Sequence, residues 1–203
     1  MGVTTAQALS RFERNDDPFA GSLDPGTAGN GSLMRLAPVA VRHWNDRDTL
    51  RQVAIDQSRT THGASEAVGA CAAYSEMLAE AIAGVPRKAV LTPSPLAYSG
   101  AIASILRGSW RGKSRASIRS GSYVVESLEG ALWSIGRTGD FRSAVLTAAN
   151  LGDDADTTAA IAGQLAGAIY GASGIPAQWL VRLAWRERIE GMADRLFARS
   201  VDR

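Results

Sequence analysis

From Thr157 to Tyr170 the chain runs Thr-Thr-Ala-Ala-Ile-Ala-Gly-Gln-Leu-Ala-Gly-Ala-Ile-Tyr, a helix-length stretch with almost no polar surface. A helix that is apolar nearly all round must be enclosed by other elements, which predicts a bundle with this segment at its centre. Gly163, Gly167 and Gly171 recur four apart, the spacing of one helix face, and lacking side chains they let a neighbouring backbone approach closely. The rest of the chain has the same character: segments rich in Ala and Leu at helical period, without the β-branched alternation of strands. The fold class is therefore all-α, a compact multi-helix bundle formed by residues 1–203 as a single domain without internal repeats.

Helix boundaries follow from capping residues. Thr4 and Thr5 can cap a short helix to about Arg14. After a loop from Gly21 to Gly31, a helix is expected from Leu33, with Pro38 in its first turns where a missing N–H is tolerated. Asp46 or Asp48 can cap the next helix, ending near Thr60, and Ser65 the one after it, stopped by Gly84 and Pro86. Between 87 and 122 the spacing supports one short helix at Tyr98–Arg107 and otherwise loop, with Thr-Pro and Ser-Pro breaks over Thr92–Pro95. Val124–Gly136 and a segment capped by Asp140 return to helical period. Pro176–Arg199 is amphipathic, setting Trp179, Leu183, Ile189, Met192 and Leu196 against many Arg and Glu.

Composition removes several classes. With 203 residues and 45% hydrophobic side chains the chain can bury a core without staples. Cys71 is the single cysteine, which rules out a disulfide framework and Cys-based zinc sites. No apolar run spans a membrane, and Arg11, Glu13 and Arg14 replace the apolar stretch of a signal peptide, so a cytoplasmic protein with no membrane partner is expected. Twenty-two basic and 20 acidic residues leave a net charge of +2. The Lys and Arg residues are scattered along the sequence, so no nucleic-acid partner is expected, and the basic stretch Arg107–Arg119 reads as a solvated loop before it reads as a contact for an acidic partner or a nucleic acid.

Two motifs carry chemistry. Gly152-Asp153-Asp154-Ala155-Asp156-Thr157-Thr158 gathers three carboxylates and two hydroxyls in a turn that opens the apolar helix. Hard oxygen donors on alternate residues of a tight turn suit Mg²⁺ or Ca²⁺, whereas the plainer reading is a helix cap with solvated neighbours. The twelve-residue EF-hand pattern is missing. Asp24-Pro25-Gly26-Thr27-Ala28-Gly29-Asn30-Gly31-Ser32 sets backbone N–H groups ahead of a helix start, where a phosphate could be cradled or a simple connector could run. It matches neither the Walker nor the dinucleotide pattern.

Taken in order, Gly29-Asn30-Gly31-Ser32-Leu33-Met34-Arg35, Thr61-His62-Gly63, Ser120-Gly121-Ser122-Tyr123-Val124 and Gly152–Thr157 leading into Ala159-Ala160-Ile161-Ala162-Gly163 resemble the ADP-ribosylglycohydrolase family, all-α hydrolases of the dinitrogenase-reductase-activating glycohydrolase type. The resemblance covers nearly the whole chain. It implies a Mg²⁺-dependent hydrolase that removes ADP-ribose from a protein or small molecule by cleaving an N- or O-glycosidic bond. Family active sites hold two Mg²⁺ ions, and the resemblance implies that Asp154, Asp156 and Thr157 supply one side of that cluster, with Asp154 and Asp156 catalytic. It further implies that Gly26, Thr27, Gly29 and Asn30 wrap the substrate's phosphates and ribose, that His62 faces the diphosphate, and that Ser122 and Tyr123 line the adenosine side. Asp153 stands outside the direct ligand set, and His43 is structural.

The family's opening segment, with a glycine-rich Gly-Asp stretch, a distal Glu and a Thr-Asp-Asp-Thr metal motif, has no counterpart here. Asn15-Asp16-Asp17-Pro18 echoes it only superficially and reads as a solvated turn. The expectation is a partial, N-terminally truncated domain that holds one Mg²⁺ weakly, or none, and has low activity. The alternative is an ADP-ribose-binding module without turnover. Loss of an N-terminal layer would also uncover apolar surface on the central helix, inviting self-association or a partner chain that covers the missing region.

Overall fold

The computed structural model describes residues 2–93 and 97–201; the Ser94-Pro95 break lies outside them. Eleven α-helices follow one another in these residues: α1 (Val3–Asn15), α2 (Ala37–His43), α3 (Arg47–Arg59), α4 (Ser65–Ile82), α5 (Arg87–Val90), α6 (Gly100–Leu106), α7 (Val124–Gly136), α8 (Phe141–Ala149), α9 (Ala155–Tyr170), α10 (Ala177–Arg182) and α11 (Arg186–Val201). No strand forms among them, only two isolated bridges, Ser22 with His62 and Gly29 with Tyr123. None of the described helices is long and apolar enough to cross a membrane.

The helix at the centre is α4. It packs against α2, α3, α5, α6, α7 and α9, and its alanines at 67, 70, 72, 73, 79 and 81 are buried, which lets those neighbours approach on several sides. Tyr74 is fully buried and its hydroxyl donates to the Ile161 carbonyl at 2.6 Å, tying α4 to α9. Cys71 is buried in the same helix beside Ser32 and Gln57, and burial pushes its thiol pKa up, so it packs as a neutral side chain.

The sequence expectation placed α9 at the centre. Instead α9 is flanked by α4, α7 and α8, burying Thr158, Ile161, Ala162, Leu165 and Ala166 on one face. Gly163 and Gly167 admit α8, whose Val145 and Phe141 side chains lie 3.8 and 3.9 Å from where their Cβ atoms would be. Gly171 is not part of that face; it ends the helix with φ +72°.

Asp46 and Asp140 cap α3 and α8, accepting from the N–H groups of Thr49 and Ser143. Such caps satisfy an otherwise orphaned donor and contribute about 1 kcal/mol each. Pro38 lies in the first turn of α2. Four features differ from expectation: α2 begins at Ala37, after a turn, instead of at Leu33; neither Thr4, Thr5 nor Ser65 acts as a side-chain cap; α5 forms where loop was expected; and the C-terminal amphipathic segment breaks into α10 and α11 at Leu183–Trp185. Trp185 there has φ +57°. The end of α11 is held on α2 and the residues after it by Arg42 donating to the Arg199 carbonyl, Trp44 donating to Ser200 and a Trp44–Phe197 ring stack.

The exposed large apolar side chains are also elsewhere than expected. Most lie on α1 (Val3, Leu9, Phe12) and on the α10–α11 region (Val181, Leu183, Trp185, Ile189, Met192, Phe197), with Phe19, Leu23, Met34 and Tyr123 between them, while the apolar face of α9 is covered. Asn15–Pro18 forms an exposed turn in which Asp17 accepts from the Phe19 N–H at 2.8 Å.

Candidate functional site

Gly152 and Asp153 both adopt positive φ, +83° and +51°, a sharp turn that aims the Asp154 N–H at the Ser120 carbonyl, 2.9 Å away. Asp154 then stands at the N-terminus of α9, half-buried. Both of its carboxylate oxygens are engaged: Oδ2 accepts from the Asn30 amide at 2.7 Å, and Oδ1 accepts from the Thr157 hydroxyl at 2.9 Å. Asn30 is buried, and its second amide hydrogen goes to Ser127 Oγ at 2.8 Å. Ser127 Oγ passes its own hydrogen on to the Gly121 carbonyl. One hydrogen-bonded chain therefore joins the glycine loop, α7 and the start of α9. A buried network satisfied at every member is rigid, because each bond would be costly to lose.

The glycine loop is pinned from its other side by His62. His62 is 3% exposed and its ring lies against Gly29 and Gly31; a Cβ at Gly31 would sit 2.8 Å from Cε1. Only glycine fits there. The proton position follows from the partners. Arg35 can only donate, and its Nη2 donates to Thr61 Oγ1 at 2.8 Å; His62 Nδ1, also 2.8 Å away, is the one acceptor among the described residues for the Thr61 hydroxyl hydrogen, so satisfying that hydroxyl requires an unprotonated Nδ1. That leaves the proton on Nε2, on the side of the ring facing the loop. Arg35 is held in turn by Gln57 and Thr60.

Burial, together with the positive charge of Arg35, pushes the His62 pKa down to about 4. The site therefore presents a neutral N–H donor at pH 7. The same shift predicts acid lability. An unfolded histidine binds its proton near pH 6.5, before His62 can do so in the fold, so stability is intact above about 6.5 and falls as the pH drops toward 4, by ~2–3 kcal/mol. Urea midpoints at pH 7 and 4.5 should move apart in the parent protein and move less in His62→Gln; equal movement in both would contradict this.

The backbone N–H groups of the loop are largely spoken for. Gly26 donates to Asp24 Oδ1, Thr27 to the Asp24 carbonyl, Gly29 to the Thr27 carbonyl and Asn30 to the Ser122 carbonyl. Gly26 and Thr27 lie in an Asp24-capped 3₁₀ turn and take no part in the Asn30–Asp154 chain. The N–H groups of Gly31 and Ser32, beside the His62 ring, have no intrachain acceptor among the described residues. Ser122 and Tyr123 are exposed on the strip that pairs with the loop, where Val124 N–H also donates to the Ala28 carbonyl at 2.9 Å. The Tyr123 hydroxyl donates to Glu66. Asp156 is exposed, with no hydrogen-bond partner among the described residues.

Arg35, Thr61 and Ser127 are the supporting residues that the sequence did not mark for a role. Arg35 and Thr61 stand inside motifs quoted for their neighbours; Ser127 had no signal, since its contact with Asn30 spans 97 positions.

For a divalent cation the donor chemistry fits in part. Asp154 Oδ1 and Thr157 Oγ1 are hard oxygens 2.9 Å apart. Adjacent corners of an octahedral Mg²⁺ shell with bonds of 2.0–2.1 Å lie about 2.9 Å apart. Among the described residues, however, no three His, Cys, Asp or Glu side chains converge as a metal cluster.

The family model for ADP-ribosylglycohydrolase matches residues 1–203. ADP-ribosylarginine hydrolase Tri1 of Pseudomonas putida (strain GB-1) is 41% identical over 200 residues, covering 98% of this chain and 54% of the relative. Tri1 of Serratia proteamaculans (strain 568) is 38% identical over 200 residues, with 97% and 54% covered. A solved structure titled ADP-ribosylglycohydrolase-related protein complex superposes with a TM-score of 0.90 at 40% identity, covering 98% of this chain and 69% of that one. The chain thus spans about half the length of the curated relatives it matches.

Proposed function

Since the chain belongs to the ADP-ribosylglycohydrolase family, we propose that it acts in hydrolysis of an ADP-ribosyl bond, with ADP-ribosylated arginine in a protein as substrate. The observation that supports this reading most is the 2.7 Å bond between Asn30 and Asp154, which brings the glycine loop and the acidic turn into one site. His62, neutral with its proton on Nε2, donates to a substrate phosphate oxygen near Gly31. Asn30 holds Asp154 in place, and Thr157 fixes the orientation of that carboxylate. Asp154, Asp156 and Thr157 would hold Mg²⁺, which when bound supplies charge stabilisation at the ribose and lowers the pKa of a coordinated water. The exposed Asp156 is open to accept a proton from water attacking the anomeric carbon as the C–N bond to the arginine side chain breaks, and to return that proton to the departing guanidine.

The test is release of free ADP-ribose from an ADP-ribosylated arginine peptide, followed chromatographically with Mg²⁺ and with a chelator. Release that requires the metal supports the proposal, and release unaffected by chelation removes the cation from it. A second reading has its own support. With no cluster of three metal-binding side chains among the described residues, the chain can bind ADP-ribose without turning substrate over. Calorimetric binding of ADP-ribose with no release from the peptide would favour that module.

A further inference from the structure

The cations that look scattered in sequence are gathered by the fold. At the C-terminal end of α7, a cavity of about 870 Å³ is lined by Arg87, Lys88, Arg111, Lys113, Arg115 and Arg137, with no Asp or Glu among its lining residues. A groove sharing Arg115, Trp133 and Arg137 with it adds Arg142. Ser127, in the site described above, is ten residues before Arg137, about 15 Å along a helix axis. This is a separate place on the molecule.

The charges are held in position there. Trp110 lies across the end of α7 because residue 136 is glycine; a Cβ at Gly136 would come within 2.2 Å of the ring. The Arg111 guanidinium lies 4.8 Å from the Trp110 ring centre, and that of Arg137 lies 4.2 Å from the Trp133 ring centre. Arg87 donates to the Ile135 and Thr138 carbonyls, Arg111 to that of Leu91, and Arg115 to those of Ile118 and Leu151. Carbonyls orient these groups without cancelling their charge. Among the described residues, Lys113 is the one of these six that pairs with a carboxylate, Glu129 at 2.7 Å. Five cations without a carboxylate partner among the described residues thus line one concavity, a self-repelling arrangement that a multiply charged anion relieves.

The chemistry of the lining narrows the anion. Four of the six cations are arginines, whose planar forks suit phosphate oxygens. The volume exceeds what one phosphate fills and lies within the range that small-molecule ligands occupy. Leu91, Trp110 and Trp133 give the cavity apolar wall as well. We propose that this cavity is a binding site for an oligophosphate small molecule of the nucleoside triphosphate class, independent of the site around Asp154.

Calorimetric titration of the full chain with ATP and with inorganic tripolyphosphate tests it. Lys88 and Arg137 hold no backbone carbonyl, so Lys88→Gln/Arg137→Gln removes charge while leaving the described hydrogen bonds in place. ATP should bind the parent, weaken at least tenfold in the double variant, and weaken steeply as salt is raised. The exposed Lys88→Glu serves as the second variant should the double one melt early, and it should weaken ATP as well. Three results would overturn the proposal: no heat with either ligand at millimolar concentration, equal affinity in parent and variants, or a twelve-nucleotide single strand binding tenfold more tightly than ATP, which would make the cavity part of a nucleic-acid groove.

Discussion

Asp154→Asn should reduce ADP-ribose release by about 10²–10³-fold while leaving the thermal midpoint within a few degrees of the parent. The substituted amide can still accept from Asn30 through its oxygen, so the bond that joins the glycine loop to α9 has a replacement. What disappears is the negative charge and the second acceptor, to which the Thr157 hydroxyl donates. Removing one charge-stabilising group from a preorganised site typically costs about 2.7–4 kcal/mol of transition-state stabilisation, which is the fold-change stated. Asp156→Asn provides the contrast. That side chain has no hydrogen bond among the described residues and contributes only a first-turn charge to α9, so release should fall with a change in melting of no more than a few degrees. Steady-state release rates beside circular-dichroism melts distinguish the cases, and undiminished release in Asp154→Asn would show that the reaction occurs elsewhere.

The second large effect is expected from a single methyl group. In Gly31→Ala the new Cβ would stand 2.8 Å from His62 Cε1 and 3.0 Å from Nε2. The ring cannot retreat freely, because it is buried and bonded to Thr61. Either it moves and loses the partner that sets its proton, or the loop moves and carries Asn30 away from Asp154. Overpacking of this kind costs about 1–3 kcal/mol. For a chain of this size that lowers the melting temperature by several degrees, at roughly 2–4 °C per kcal/mol. ADP-ribose affinity should fall at least tenfold as well, and parent-like binding by calorimetry would mean that His62 and the loop do not form the phosphate side.

Local signals carried much of the fold. Asp46 and Asp140 cap the helices expected of them, because a cap depends on residues three apart. Helical period located α7, α8 and α9 for the same reason. Trp185 was illegible: nothing adjacent to it announces a left-handed residue, and an amphipathic pattern continues through the break. The central place of α4 was hidden because alanine is a good helix former anywhere, and its burial becomes visible only when six other helices close round it. At the site, the pairing of the glycine loop with the acidic turn was expected from the resemblance alone. Arg35, Thr61 and Ser127 were not, since a relay of hydrogen bonds is a property of tertiary neighbours. The basic cavity illustrates the same limit, for its cations span positions 87 to 137 and their convergence is a result of folding.

Asn30 and Asp154 are 124 positions apart. A ribosome extending the chain at about 5–20 residues per second needs roughly 6–25 s to travel from one to the other. Throughout that interval the nascent polypeptide carries the amide without its carboxylate, and none of the earlier helices can substitute for the missing half. The joining of the two motifs thus comes late in synthesis, and a product terminated before Asp154 would lack the bond that unites them.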